Sequence, residues 1–230
     1  MPDFTDRTAD AIAALERHAQ PGGIEGMARF GIVSRQRVLG VSVGDARTVA
    51  KAIGRDHALA LKLWDAGIYE ARILACFVAD SKQVTPDLMD SWAADFDNWA
   101  VCDTACFHLF DKTPHALAKV RAWAPREEEF VRRAAFALLA SVAGHDKKLP
   151  DQALLDLLPL IEAANDPRNF VKKGVSWALR GIGGRRASLH APCIALAERL
   201  AASPDPAKRW VGKDALRDLN RPLVLKRLGL

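Results

Sequence analysis

The sequence predicts an all-α fold, and three observations carry that prediction. Apolar residues recur at intervals of three and four along nearly the whole chain, the spacing that gives a helix one buried stripe. β-Branched runs at period two are almost absent, and FGIVSRQRVLGVSV, around residues 30–43, is the one candidate strand. Half of the 230 residues are hydrophobic and 27% are charged, a balance that supplies a core and excludes disordered, collagenous and fibrous classes.

Along the chain, the first helix is expected over 5–19, where charge alternates with apolar residues and no basic-then-apolar export signal occurs. Short segments at 24–30, 45–54 and 56–66 follow, the last stopped by Gly67. A helix is expected over 68–80. The next, 86–94, starts at Thr85-Pro86-Asp87, a capping side chain before a proline whose missing N–H costs nothing at the first helical position. Helices over 98–111 and 114–123 come next, the second opened in the same way by Thr113-Pro114. Glu127-Glu128-Glu129 is expected in the first turn of 127–143, complementing the helix dipole, with Gly144 as the stop. The remaining helices are expected over 151–164, 168–182 (stopped by Gly183-Gly184), 187–202, 206–219 (opened by Asp205-Pro206) and 222–228.

Three of these helices share a motif. Phe130-Val131-Arg132-Arg133, Phe170-Val171-Lys172-Lys173 and Trp210-Val211-Gly212-Lys213 each carry an aromatic, a valine and a cation three places after the aromatic, at 40-residue intervals. Tyr69 and Arg72 repeat the offset outside the period. A period of 40 belongs to helical-pair repeats of the HEAT or armadillo kind, which stack into a solenoid with a concave face. One cation per repeat would line one surface and suit an extended polyanion, unless each pairs with an acidic residue as a structural bridge.

Charge is unevenly distributed. The net charge of +5 resolves into 19 basic against 24 acidic residues over 1–167, and 14 against 4 over 168–230. A cationic C-terminal quarter favours nucleic acid over an acidic protein or anionic membrane, and a solvated basic face is the plain alternative. Cys76, Cys102, Cys106 and Cys193 all fall in apolar runs, which suits free thiols in a reducing cytoplasm. Phosphate-loop, dinucleotide and serine-hydrolase motifs are absent, and no apolar run is long enough to span a membrane. Cys102, Cys106 and His108 share a helix but fall short of four zinc ligands, so no metal or cofactor is expected.

The chain has six Trp and one Tyr. Trp64, Trp92 and Trp123 sit on apolar stripes and are expected in the core. Trp99 lies four residues before Asp103, on the same helix face, and Trp177 lies in a basic helix with Lys172, Lys173 and Arg180. An aromatic beside a carboxylate suits a cation. If Trp99, Asp103 and Trp177 converged in a groove lined by Arg133 and Lys173, it would suit a cationic aromatic ligand on a phosphate backbone. On spacing alone, two packed indoles and a helix-turn carboxylate are the better account.

Resemblance shifts that balance. Leu63-Trp64-Asp65-Ala66-Gly67-Ile68-Tyr69-Glu70-Ala71-Arg72, then Met89-Asp90-Ser91-Trp92, Asn98-Trp99 through Asp103, Phe130 to Arg133, and Phe170 through Trp177 to Arg180 resemble the AlkD-type DNA alkylation repair glycosylases, in order from about residue 26 to 219. The resemblance implies a solenoid of HEAT-like repeats with a basic concave groove for duplex DNA, and excision of cationic N3- or N7-alkylated purines. It implies that Asp103 is the catalytic carboxylate, that Trp99 and Trp177 contact the lesion-bearing nucleoside, that Arg133 lies beside the backbone and that Arg180 contacts DNA. Lys172, Lys173, Arg185, Arg186 and Lys213 complete the expected DNA-binding set. Gly26 stands where the family often has a tyrosine, and Asn98 where a second aromatic can precede Trp99.

The expectation is therefore a monofunctional glycosylase, cytoplasmic and monomeric, acting as one domain over residues 1–230 on duplex DNA with alkylated bases. The rival expectation is a noncatalytic HEAT-like module that binds DNA or a protein through the same cationic face.

Overall fold

The computed structural model describes residues 4–230, and the described residues are almost entirely helical. They fall into two compact units, one ending at Thr113 and the other spanning Pro114–Leu230.

The first unit contains α1 (Phe4–Glu16), α2 (Gly23–Arg29), α3 (Val43–Ile53), α4 (His57–Trp64), α5 (Tyr69–Val78), α6 (Pro86–Ala94), α7 (Trp99–His108) and a 3-10 turn, Phe110–Lys112. Its core explains why segment 63–72 is so distinctive. Trp64 is buried and stacks on Trp92 with ring centroids 3.9 Å apart. The Trp64 indole donates to Asp95 at 2.8 Å, and the buried Arg72 donates to the Asp95 carbonyl at 3.1 Å while lying over the Trp64 ring. Glu70, 1% exposed, accepts from the backbone N–H groups of Leu39, Gly40 and Val41 at 2.9, 2.8 and 3.1 Å.

That carboxylate also explains the candidate strand. Residues 39–41 give their donors to Glu70, and the remaining pairing is an isolated parallel bridge between Arg37 and Ile68, so among the described residues no sheet forms. The helix expected over 98–111 ends at His108 and gives way to the 3-10 turn. Thr113 does not cap the next helix, because that helix starts later, at Ala116, with His115 at its N-cap; the Thr113 hydroxyl donates instead to the Phe110 carbonyl at 2.8 Å. Thr85 does cap α6, accepting from the Leu88 N–H at 3.1 Å.

The second unit contains α8 (Ala116–Trp123), α9 (Glu129–His145), α10 (Asp151–Leu155), α11 (Leu158–Ala163), α12 (Asn169–Gly183), α13 (Ala187–Ala201), α14 (Pro206–Leu219) and α15 (Pro222–Leu228). α9, α12 and α14 pack side by side in that order, and α8, α11 and α13 pack on them. The three helices in the row are those that carry the 40-residue motif, so each period is one helical pair of HEAT-like form. Gly212 breaks the motif's basic pattern for a steric reason: a Cβ there would lie 2.3 Å from the Ala201 nitrogen, where α14 crosses α13.

Three expectations change in this unit. Segment 151–164 is two short helices, because Pro159 lacks an N–H and its ring crowds the carbonyl four residues back, while it fits the first turn of α11. Glu127 and Glu128 precede α9, Glu128 paired with Arg126, and Glu129 alone occupies its first turn. Gly144 lies inside α9, which continues to His145. Trp64, Trp92 and Trp123 are buried, as are all four cysteines.

Candidate nucleic-acid interface

In the first unit the chemistry-bearing side chains sit at the start of α7. Asn98 is the N-cap, its side-chain oxygen accepting from the N–H groups of Ala100 and Val101 at 3.0 and 3.1 Å. An aromatic at that position would forgo the cap. Trp99 is the first helical residue and is half-exposed; its indole donates to the Phe30 carbonyl at 3.0 Å. Asp103 follows one turn later on the same face and is half-buried. The connection after α2 is tied to this corner again through Asp97, which accepts from the Ser34 hydroxyl at 3.1 Å and the Arg35 N–H at 2.6 Å. Phe30 itself is 71% exposed, and a Cβ at Gly26 would meet no atom within 4 Å.

In the second unit a cleft of about 450 Å³ is lined by Arg133, Lys173, Trp177, Arg180, Trp210, Asp214 and Arg217. Four of these were expected from sequence, and α9, α12 and α14 bring them together. Arg133 is 6% exposed and donates to the Phe170 carbonyl at 2.6 Å, so its charge is held in place by a buried guanidinium contact. Lys173 is exposed and Trp177 half-exposed. The Arg180 Nε donates to the Ser176 hydroxyl at 3.2 Å, and its guanidinium lies 3.7 Å from both Asp214 and Asp218. The Lys172 ammonium lies 5.2 Å from the centre of the Trp210 ring, a cation–π contact, and Lys213 is exposed on α14.

Arg185 and Arg186 do not line this cleft. Arg185 donates to the carbonyls of Ala143, Asp146 and Leu149 at 2.8, 2.5 and 3.0 Å, and burial followed by the neighbouring Arg186 charge pushes its pKa down. Arg186 pairs with Asp151 and donates to the Lys147 carbonyl at 2.6 Å. Both guanidiniums close the C-terminal end of α9 and the loop after it. Arg72, the outlying cation of the motif, is the structural bridge to Asp95 described above.

Sequence reading missed Trp210 as a site residue, together with Asp214 and Arg217. The signal was available: Trp210 holds the third place in the 40-residue register, and the other two follow it by four and seven residues on the same helix face. Cys102 and Cys106 are fully buried, and among the described residues no group of three or more His, Cys, Asp or Glu side chains could hold a metal ion. No helix among them is long and apolar enough to cross a membrane.

A solved structure from "a new family of proteins related to the HEAT-like repeat DNA glycosylases with affinity for branched DNA structures" superimposes with a TM-score of 0.77 at 18% identity, over 97% of this chain and 96% of that one. A designed armadillo repeat protein matches with a TM-score of 0.42 at 16% identity, over 96% of each chain. No curated protein sequence gives a significant match. The family model described as DNA alkylation repair enzyme matches residues 11–219, nearly the full length. The chain therefore belongs to the DNA alkylation repair enzyme family.

Proposed function

We propose that this protein is a monofunctional DNA glycosylase that excises cationic N3- or N7-alkylated purines from duplex DNA. The observation that carries the reading is the α7 corner: a half-buried carboxylate, Asp103, one turn from a half-exposed indole, Trp99, whose orientation is fixed by the Phe30 carbonyl.

The chemistry asks little else. An N3- or N7-alkylpurine already carries positive charge and leaves without protonation. As the glycosidic bond breaks, oxocarbenium character develops on the deoxyribose, and the Asp103 carboxylate stabilises it and orients the attacking water. The Trp99 indole supplies cation–π and C–H contacts that strengthen as the charge grows, and Trp177 offers an indole in the second unit's cleft. Arg133 stands beside the backbone, and Lys172, Lys173, Arg180 and Lys213 neutralise phosphates. Arg185 and Arg186, also expected from sequence to bind DNA, lie outside the cleft lining, with donors on loop carbonyls, and the proposed set is centred on the cleft without them. With no lysine nucleophile in the scheme, the product is an abasic site in an intact strand.

A second reading is a noncatalytic DNA-binding protein with a preference for branched structures. It is favoured by the affinity described for the structural relative and by Gly26, which leaves open space where the family often has an aromatic.

The test is a methylated duplex incubated with the protein and then treated with or without alkali. The first reading expects strand breaks after alkali alone. An unbroken strand in both arms, with the duplex bound, supports the second.

A further inference from the structure

We propose that Trp210 is a stacking platform for an unpaired nucleobase, so that the second unit's cleft selects DNA in which a duplex gives way to a single strand. The inference rests on the DNA-binding part of the proposed function and is independent of its chemistry.

A cleft built for duplex backbone needs cations, which neutralise phosphates without regard to bases. This one also holds two indoles, on the adjacent packed helices α12 and α14. The family resemblance implies a role for Trp177 at the lesion-bearing nucleoside, which leaves Trp210 to be explained.

The register does not require it. The first two aromatics of the 40-residue register, Phe130 and Phe170, lie against each other with centroids 5.7 Å apart, so a phenyl ring meets the needs of the register. The third place holds the larger indole, half-exposed and opening onto the cleft. Lys172 lies over one face of that ring, 5.2 Å from its centre, so the proposal places the base on the opposite face, with Lys172 and Arg217 of the same cleft as the cations for its phosphates. A flat aromatic among cations is the arrangement that binds single-stranded nucleic acid without sequence preference, because every base offers a π face. In a paired duplex those faces are covered by neighbouring bases.

The test measures binding of wild type, Trp210→Leu and Trp210→Phe to three DNAs of one sequence by fluorescence anisotropy: a blunt duplex, a fork with unpaired arms and a single strand. Thermal unfolding checks each variant's fold. Leucine fills space without a π face, so Trp210→Leu is expected to lose about tenfold in affinity for fork and single strand while duplex affinity stays within about twofold. Trp210→Phe falls between Trp210→Leu and wild type on the fork. Should the Leu variant fail to fold, the fork-to-duplex ratio of the Phe variant decides alone: a fall supports the proposal and an unchanged ratio overturns it. Equal losses on fork and duplex, or no loss on the fork, overturn it while leaving duplex binding intact. Absence of any DNA binding by wild type overturns both this inference and the reading beneath it.

Discussion

The Ser176 hydroxyl, fully buried on α12, donates to the Asp214 carboxylate on α14 at 2.6 Å, and the same carboxylate pairs with Arg180 and Arg217. An anion thus sits among the cleft's cations and fixes two of them. Replacing Ser176 with Ala removes one charge-assisted hydrogen bond and is expected to cost about 1–2 kcal/mol of stability, read by chemical denaturation. Asp214→Asn removes negative charge from the cleft, so affinity for undamaged duplex rises severalfold at low salt. Salt titration checks the cause, because the gain fades as screening increases.

Glu70 holds the segment that precedes α3. Its buried carboxylate is the partner of three backbone N–H groups, and an amide offers an N–H₂ group where an acceptor is required. Glu70→Gln is therefore expected to destabilise the protein by about 3 kcal/mol. Hydrogen exchange at Leu39, Gly40 and Val41 should accelerate in the same variant.

Acid sensitivity follows from Asp166, which ties α9 to the start of α12. The Arg168 guanidinium, the Arg168 N–H and Arg132 hold its carboxyl down to about 2, against 3.8 as a free side chain. A pKa depressed by folding stabilises the native state above the unfolded value and loses that contribution as pH falls through the folded one. Stability should decline between pH 3.8 and about 2 through this group, and Asp166→Asn should flatten that part of the pH profile while lowering stability at neutral pH.

Much of this was legible beforehand, and the exceptions have identifiable causes. The helices were readable because each buries a stripe and several begin at a cap: Thr85 before Pro86, and Asp205 before Pro206, whose carboxylate accepts from the N–H groups of Ala207 and Lys208. Thr113-Pro114 carries the same local signal and fails because the chain turns through Pro114 and His115 before the helix begins at Ala116. The break at Pro159 was open to reading, but a proline tolerated in a first turn does not announce whether a helix starts or stops there.

The lining of the candidate cleft was half legible. Basic residues of α12 could be chosen by charge, but charge does not say whether a guanidinium meets solvent or a carbonyl. That difference separates Arg180, which lines the cleft, from Arg185 and Arg186, which close a loop. The conspicuous segment 63–72 owes its character to packing, since Trp64, Glu70 and Arg72 are all committed to buried contacts.

Gly26 offers a gain-of-function prediction. A side chain there meets open space, and a helical glycine costs roughly 0.5–1 kcal/mol relative to alanine. Gly26→Tyr should fold at least as stably as wild type by thermal unfolding, and under the proposed function it should raise the rate of base excision by supplying the aromatic that the sequence resemblance places there.

The most direct measurement is single-turnover release of free 3-methyladenine and 7-methylguanine from methylated duplex DNA, with duplex affinity measured in parallel for wild type and Asp103→Asn. The account predicts that wild type releases both bases, and that Asp103→Asn binds the duplex with nearly unchanged affinity while releasing neither. Retention of excision by Asp103→Asn, or binding without release by wild type, would contradict it.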